Sequence, residues 1–186
     1  MTVLALHSVE TTDHLVSPRE FFDVDLHSPA LSVFTDFRKH EPVVMDGMMR
    51  AVDAAVALRQ SLPRLRLVVD RFGEFIGTVT WRELSEENLL RHVAAGTSRQ
   101  DILVMDVMKH RHQIRALWYD DLCHATVRDL VDTLHGNGES HCLVVQGDTH
   151  SIRGLIAASD VERRLHVKSG SDLPRTFAEI FTALHA

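Results

Sequence analysis

At 186 residues, with 45% hydrophobic and 25% charged content, the chain can bury a core as one domain or as two small halves packed together. Its net charge of −6 comes from 20 basic against 26 acidic residues, with no basic block, which argues against extended nucleic acid as a partner. No apolar stretch approaches membrane-spanning length, and Met1-Thr2-Val3-Leu4-Ala5-Leu6-His7 lacks the charged start and long apolar run of a signal peptide. The expectation is a cytoplasmic chain, no membrane association, and two unpaired buried thiols, Cys123 and Cys142.

In chain order, residues 1–27 read as an N-terminal arm with a few apolar anchors such as Phe21, Phe22 and Leu26, closed by His27-Ser28-Pro29. Ala51, Ala54, Ala55 and Leu58 follow helical spacing. Leu67-Val68-Val69 and Gly77-Thr78-Val79-Thr80 then read as two strands joined by the turn Asp70-Arg71-Phe72-Gly73, and a helix is expected from Glu83 to about Val93. A short link, Ala94 to Gln100, leads to a second passage of the same kind. Val127, Leu130, Val131 and Leu134 mark its helix, and Leu143-Val144-Val145 and Gly154-Leu155-Ile156 its strands. The turn Gln146-Gly147-Asp148-Thr149 joins these strands, and a helix follows from Asp160 to about Val167.

The two passages are a repeat. Asp53 and Asp129, Leu58 and Leu134, Val68 and Val144, and Val69 and Val145 each stand 76 positions apart, while Gly77 and Gly154 stand 77 apart, so the second turn carries one extra residue. After Lys168-Ser169-Gly170-Ser171 a last helix is expected, capped by Ser171 or Asp172 with Pro174 in its first turn. Leu173, Phe177, Ile180, Phe181 and Leu184 share one face of it, a stripe suited to a core or a dimer contact.

These residues resemble the CBS domain, named after cystathionine β-synthase, in its tandem form. The likeness rests on Asp106-Val107-Met108, on Ala125-Thr126-Val127-Arg128-Asp129-Leu130, and on Gly138-Glu139-Ser140-His141-Cys142-Leu143-Val144-Val145. It continues through Gly154-Leu155-Ile156 and Ser159-Asp160-Val161, and in the first copy runs from Asp53-Ala54 through Val68-Val69-Asp70 and Gly77-Thr78-Val79-Thr80. The opening segment of the first copy, Pro29 to Asp46, fits poorly. The resemblance implies an α+β fold: two pseudo-symmetric βαββα units packed sheet to sheet, called a Bateman module, with the C-terminal helix appended. The units would span 28–93 and 94–168, between the arm at 1–27 and the helix at 169–186. It further implies a regulatory homodimer with two inter-unit clefts for AMP, ADP, ATP or S-adenosylmethionine, no required cofactor, no enzyme activity, and an effector protein as partner.

The family's ligand motif is Gly, two residues, Thr or Ser, two residues, Asp. A carboxylate can accept both ribose hydroxyl protons, and a hydroxyl backed by a helix N-terminus suits phosphate. The first copy keeps Thr80 but carries Glu83 in place of Asp. The second keeps Asp160 but carries Ala157 in place of the hydroxyl, with Ala158 and Ser159 next in the run and Ser159 as a substitute. Val79 and Ile156 would flank the adenine. If one nucleotide binds, Asp160 is the expected side. Against this, Thr80-Trp81-Arg82-Glu83 and Ser159-Asp160-Val161-Glu162 both fit helix capping boxes. Lys109, His110, Arg111 and His112 follow Asp106-Val107-Met108, and with Arg82, Arg153 and Arg163 they are candidate phosphate neutralisers. His141 is a candidate base contact or a half-buried core histidine.

Thirteen histidines raise the question of metal, but they are dispersed, without a His-Glu-x-x-His pair or a Cys-x-x-Cys. No Gly-x-Ser-x-Gly elbow appears. Two functions remain: a stand-alone module that binds an adenosine nucleotide and signals to a partner, or a ligand-free dimeric scaffold whose degenerate clefts are filled by its own side chains.

Overall fold

The computed structural model describes residues 24–59, 65–166 and 176–185. Phe21 and Phe22 of the arm, and Ser171, Asp172, Leu173 and Pro174 ahead of the last helix, lie outside these. The first copy supplies β1 (Phe34–Asp36), β2 (Val44–Asp46), α1 (Ala51–Arg59), β3 (Leu65–Val69), β4 (Phe75–Thr80) and α2 (Glu86–Ala94). The second opens with α3 (Val104–Val107), β5 (Lys109–His110), β6 (Ala116–Trp118) and α4 (Tyr119–His124). It continues with α5 (Val127–Leu134), β7 (His141–Gln146), β8 (Ser151–Ala157) and α6 (Ala158–Arg164), and α7 (Phe177–Leu184) ends the chain.

The strands form two four-stranded sheets, ordered β2-β3-β4-β5 and β1-β8-β7-β6. In each, a parallel pair is bridged by a helical crossover (β2 to β3 through α1, β6 to β7 through α4 and α5), and an antiparallel hairpin (β3 with β4, β7 with β8) follows. The hairpins carry β-bulges at twin places, Val68/Val69 and Val144/Val145. In the first turn the Asp70 carboxylate accepts the Phe72 and Glu74 amides at 2.8 and 2.9 Å, and Gly73 takes a left-handed φ of 80°.

The fourth strand of each sheet comes from the other copy. β5 is the first strand of the second copy yet pairs with β4, His110 opposite Gly77; β1 is the first strand of the first copy yet pairs with β8, Asp36 opposite Gly154. The poorly fitting segment after Pro29 is therefore a true counterpart. Ala30 and Val33 are buried as Val104 and Val107 are, but they ride on a 3-10 turn and stand 74, not 76, positions from their partners. The borrowed strands also explain the paired glycines. A Cβ on Gly77 would stand 2.4 Å from the Lys109 carbonyl oxygen, and one on Gly154 2.1 Å from that of Thr35.

Three apolar layers result. Leu65, Leu67, Leu143, Leu155 and Ala157 pack between the sheets. Ala51, Ala54, Leu58, Val68 and Val79 lie under the helices of the first sheet, and Val127, Leu130, Val131, Val144 and Ile156 under those of the second. Helix α7 joins this last layer, with Phe177 and Ile180 fully buried and Phe181 and Leu184 packed alongside, so the phenylalanine stripe is core. Thr176 caps it: its hydroxyl accepts the Glu179 amide at 3.3 Å while the Glu179 carboxylate accepts the Thr176 amide at 2.6 Å.

Helix starts differ from the sequence expectation. α2 begins at Glu86 rather than Glu83, because Ser85 caps it by accepting the Asn88 amide at 3.3 Å. α6 begins at Ala158 without any side-chain cap, so the Ser159–Glu162 pattern is not a capping box here. Cys142 is buried as expected, but Cys123 is exposed on α4.

Candidate functional site

A cleft of about 470 Å³ opens between the ends of the two sheets. β3 and β4 wall one side with Leu65, Thr78 and Thr80, and β6 and β7 wall the other with Ala116, Leu117, His141 and Leu143. Strand alternation decides which residues face it. Thr78 and Thr80 point one way along β4, while Val79 points the other, into the helix-side core. The same alternation buries Ile156 completely under the second set of helices.

At the rim, Thr80 and Glu83 form a closed local unit. The Thr80 amide and hydroxyl donate to Glu83 Oε2 at 2.7 and 2.5 Å, and the Arg82 amide donates to the Thr80 hydroxyl at 3.2 Å. Both bonds fall on one carboxylate oxygen; Glu83 Oε1 carries none among the described residues. This is half of a capping box, the carboxylate answering the Thr80 amide, set in a turn ahead of the helix.

Two further charged groups face each other across the cleft. Lys109, on the borrowed strand of the first sheet, is ion-paired with Glu139, which precedes β7 of the second. Beside them the Ser140 hydroxyl and His141 Nδ1 are 2.9 Å apart. Burial pushes the His141 imidazole down to about 4, so a neutral ring lines the cleft at neutral pH. Burial likewise pushes the Cys142 thiol up to about 11, which leaves it inert as a nucleophile. Arg82 and Arg115 sit exposed at the rim, and neither side chain takes part in an ion pair among the described residues. A shallower groove of about 480 Å³ continues past Lys109 toward Asn88 and Arg91.

No protein-family model and no curated protein matches the sequence. Solved structures do match. A conserved CBS-domain protein of Thermoplasma acidophilum is similar at 18% identity and a TM-score of 0.53, over 82% of this chain and 78% of that one. An uncharacterized conserved protein of Pyrococcus horikoshii is similar at 13% identity and a TM-score of 0.55, over 80% and 99%. CBSX2, solved in complex with AMP, is similar at 19% identity and a TM-score of 0.51, over 74% and 94%. The fold is that of a tandem CBS-domain protein.

Within this CBS fold, the sequence candidates separate into four groups. Thr80, Arg82, Glu83, Lys109 and His141 meet in the described cleft. Asp160, Ser159, Ala158 and Ile156 stand apart from it: Asp160 accepts from the Arg163 guanidinium at 2.6 Å, Ser159 is exposed, and Ala158 and Ile156 are fully buried. By the offset of 76 residues, the counterparts of Glu139 and Ser140 are Pro63 and Arg64, which lie outside the described residues. His110 stacks on His112 with ring centroids 5.6 Å apart, and with Arg111 it lies off the cleft lining. Arg153 is committed elsewhere, clamped on Asp36. No group of three metal-ligating side chains occurs among the described residues.

Thr78, Gln113, Arg115, Glu139 and Ser140 were not singled out from the sequence as ligand contacts, yet they line the cleft. Thr78 was within reach, since it shares the strand face of Thr80. The rest come from loops whose position depends on how the two sheets meet.

Proposed function

We propose that this CBS pair is a regulatory module that binds a phosphorylated adenosine nucleotide in the cleft beside Thr80 and Glu83. The observation that carries the reading is the pairing of two guanidiniums without an ion pair among the described residues, Arg82 and Arg115, with an apolar and neutral interior at Leu65, Leu143 and His141. Flat base and anionic tail have separate places: the sheet interior suits the base, and the rim arginines suit phosphate. Glu83 Oε1 is free to accept a ribose hydroxyl proton. The AMP held by CBSX2 supports the ligand class. Rim cations favour AMP, ADP or ATP over the sulfonium of S-adenosylmethionine. The module works as a homodimer, and occupancy is relayed to an effector protein.

Calorimetric titration with AMP, ADP, ATP and S-adenosylmethionine tests this. Nucleotide binding weakened about tenfold or more by Arg115→Ala is expected, the loss of one charge-assisted phosphate contact. Binding unaffected by Arg115→Ala and Arg82→Ala removes the rim from the site.

One observation favours a second reading, the ligand-free scaffold: Thr80 holds Glu83 and Lys109 holds Glu139, so the cleft already answers part of its own polarity. Absence of binding to all four compounds selects it.

A further inference from the structure

Glu139 belongs to the cleft and to the seat of the terminal helix at once. Its carboxylate crosses the cleft to Lys109. Its backbone carbonyl accepts the amide of Phe177, the first residue of α7, at 3.0 Å. The next carbonyl, that of Ser140, accepts the Ala158 amide at the start of α6 at 2.9 Å. A second path runs beside this one. Thr133 and Leu134 line the cleft, and the adjoining His135 stacks on Phe181 of α7 with centroids 4.1 Å apart. Phe181 is stacked on its other side by His185 at 4.2 Å. The terminal helix therefore rests on the outer side of the segment whose inner side faces the ligand space.

We propose that Glu139 couples cleft occupancy to the docking of α7. In the empty cleft the Glu139 carboxylate occupies Lys109 as an internal anion. An anionic group entering the cleft competes for the same ammonium, and once it takes Lys109 the two like charges repel. The displaced Glu139 draws its backbone from the position that receives the Phe177 amide, and the first turn of α7 loosens. The linkage is reciprocal: whatever loosens α7 also frees Lys109 and tightens anion binding. The element that changes state is thus named, with a docked and a loosened form, and both sites bias it. This inference rests on the nucleotide reading for the identity of the anion, and on the ion pair alone for the coupling.

Amide hydrogen exchange of the full chain, followed on the peptide covering 176–185, tests it in two arms. The first uses no ligand. Glu139→Gln and Lys109→Gln each break the pair, and each is expected to speed exchange in α7 about fivefold or more, the lower end of ordinary coupling between sites. Exchange in the β7–β8 hairpin, unchanged, shows that the variant is folded; should one variant unfold, the other decides. Unaltered α7 exchange in a folded variant overturns the proposal. The second arm adds saturating ADP to the wild-type chain. Faster α7 exchange that Glu139→Gln no longer responds to supports the coupling, and ADP binding without any change in α7 overturns it. If ADP does not bind, the nucleotide reading fails and the ligand-free arm still decides the coupling.

Discussion

Asp36 and Arg153, 117 positions apart, close a bidentate ion pair with both contacts at 2.9 Å. The pair ties β1 to β8, so it fastens a strand of the first copy into the sheet of the second. Arg153 also donates to the Gln146 side chain at 3.0 Å and lies over the Tyr119 ring at 4.4 Å. Hydrogen bonding from Arg153 holds the Asp36 carboxyl down at about 2. Its folded value is depressed, so the stabilisation is fully present above the unfolded value near 4 and is lost as pH falls toward 2. Asp36→Asn is expected to cost about 1–2 kcal/mol at neutral pH after allowance for solvent screening. The difference from wild type should shrink in urea melts repeated between pH 4 and pH 2 and vanish below the folded value.

His141 carries the opposite chemistry in the same sense. Its imidazole titrates near 4 in the fold, below its ordinary 6.5, because burial penalises the cation. The unfolded chain takes up a proton first, so stability drops as pH falls from about 6.5 to about 4. His141→Gln should flatten that slope, by on the order of 2 kcal/mol across the window. A wild-type chain whose urea midpoint is constant from pH 7 to pH 4.5 contradicts the assignment.

The close approach at the borrowed strands predicts a pair of costly small substitutions. Gly154→Ala places a methyl 2.1 Å from a backbone oxygen that no side-chain rotation can move. A loss of about 2–4 kcal/mol is expected, with Gly77→Ala in the same range. Alanine at Gly136, where nothing lies within 4 Å, serves as the tolerant control in the same thermal melts.

The terminal helix is a structural part of the second sheet's core. Phe177→Ala should destabilise by about 3–5 kcal/mol, the ordinary cost of emptying a full aromatic site. Thr176→Ala, which removes only the cap, should cost about 1 kcal/mol. Equal small losses in both would mean that α7 contributes little to the fold.

The doubled helix-strand-strand unit was legible because its apolar positions repeat at a constant 76 residues and obey local periodicities. The exchanged strands were not. β1 has three residues and β5 two, too short for any alternation, and the β1 segment keeps a different spacing from its twin. The Thr80–Glu83 turn carried a true capping signal, but the helix starts three residues past Glu83, since Ser85 provides a second cap. Of the cleft, sequence reading reached Thr80, Arg82, Glu83, Lys109 and His141 through the repeat and the family pattern. Residue type favoured Asp160; the cleft beside Thr80 became visible only through loops such as Gly138–Ser140 and Gln113–Arg115. Their placement follows from the packing of one sheet on the other, a relation that no local pattern encodes.

Strand exchange also bears on how such a chain can be cut or inherited. Each copy, taken alone, lacks one edge of its own sheet and carries an orphan strand complementary to a sheet it does not contain. Cleavage between Ala94 and Gln100 should therefore release no independent piece, since each fragment remains threaded into the other. An ancestral single-copy polypeptide with this layout would have had to find the missing edge on a sister molecule. Holding both copies on one chain makes that encounter a permanent feature of a single molecule.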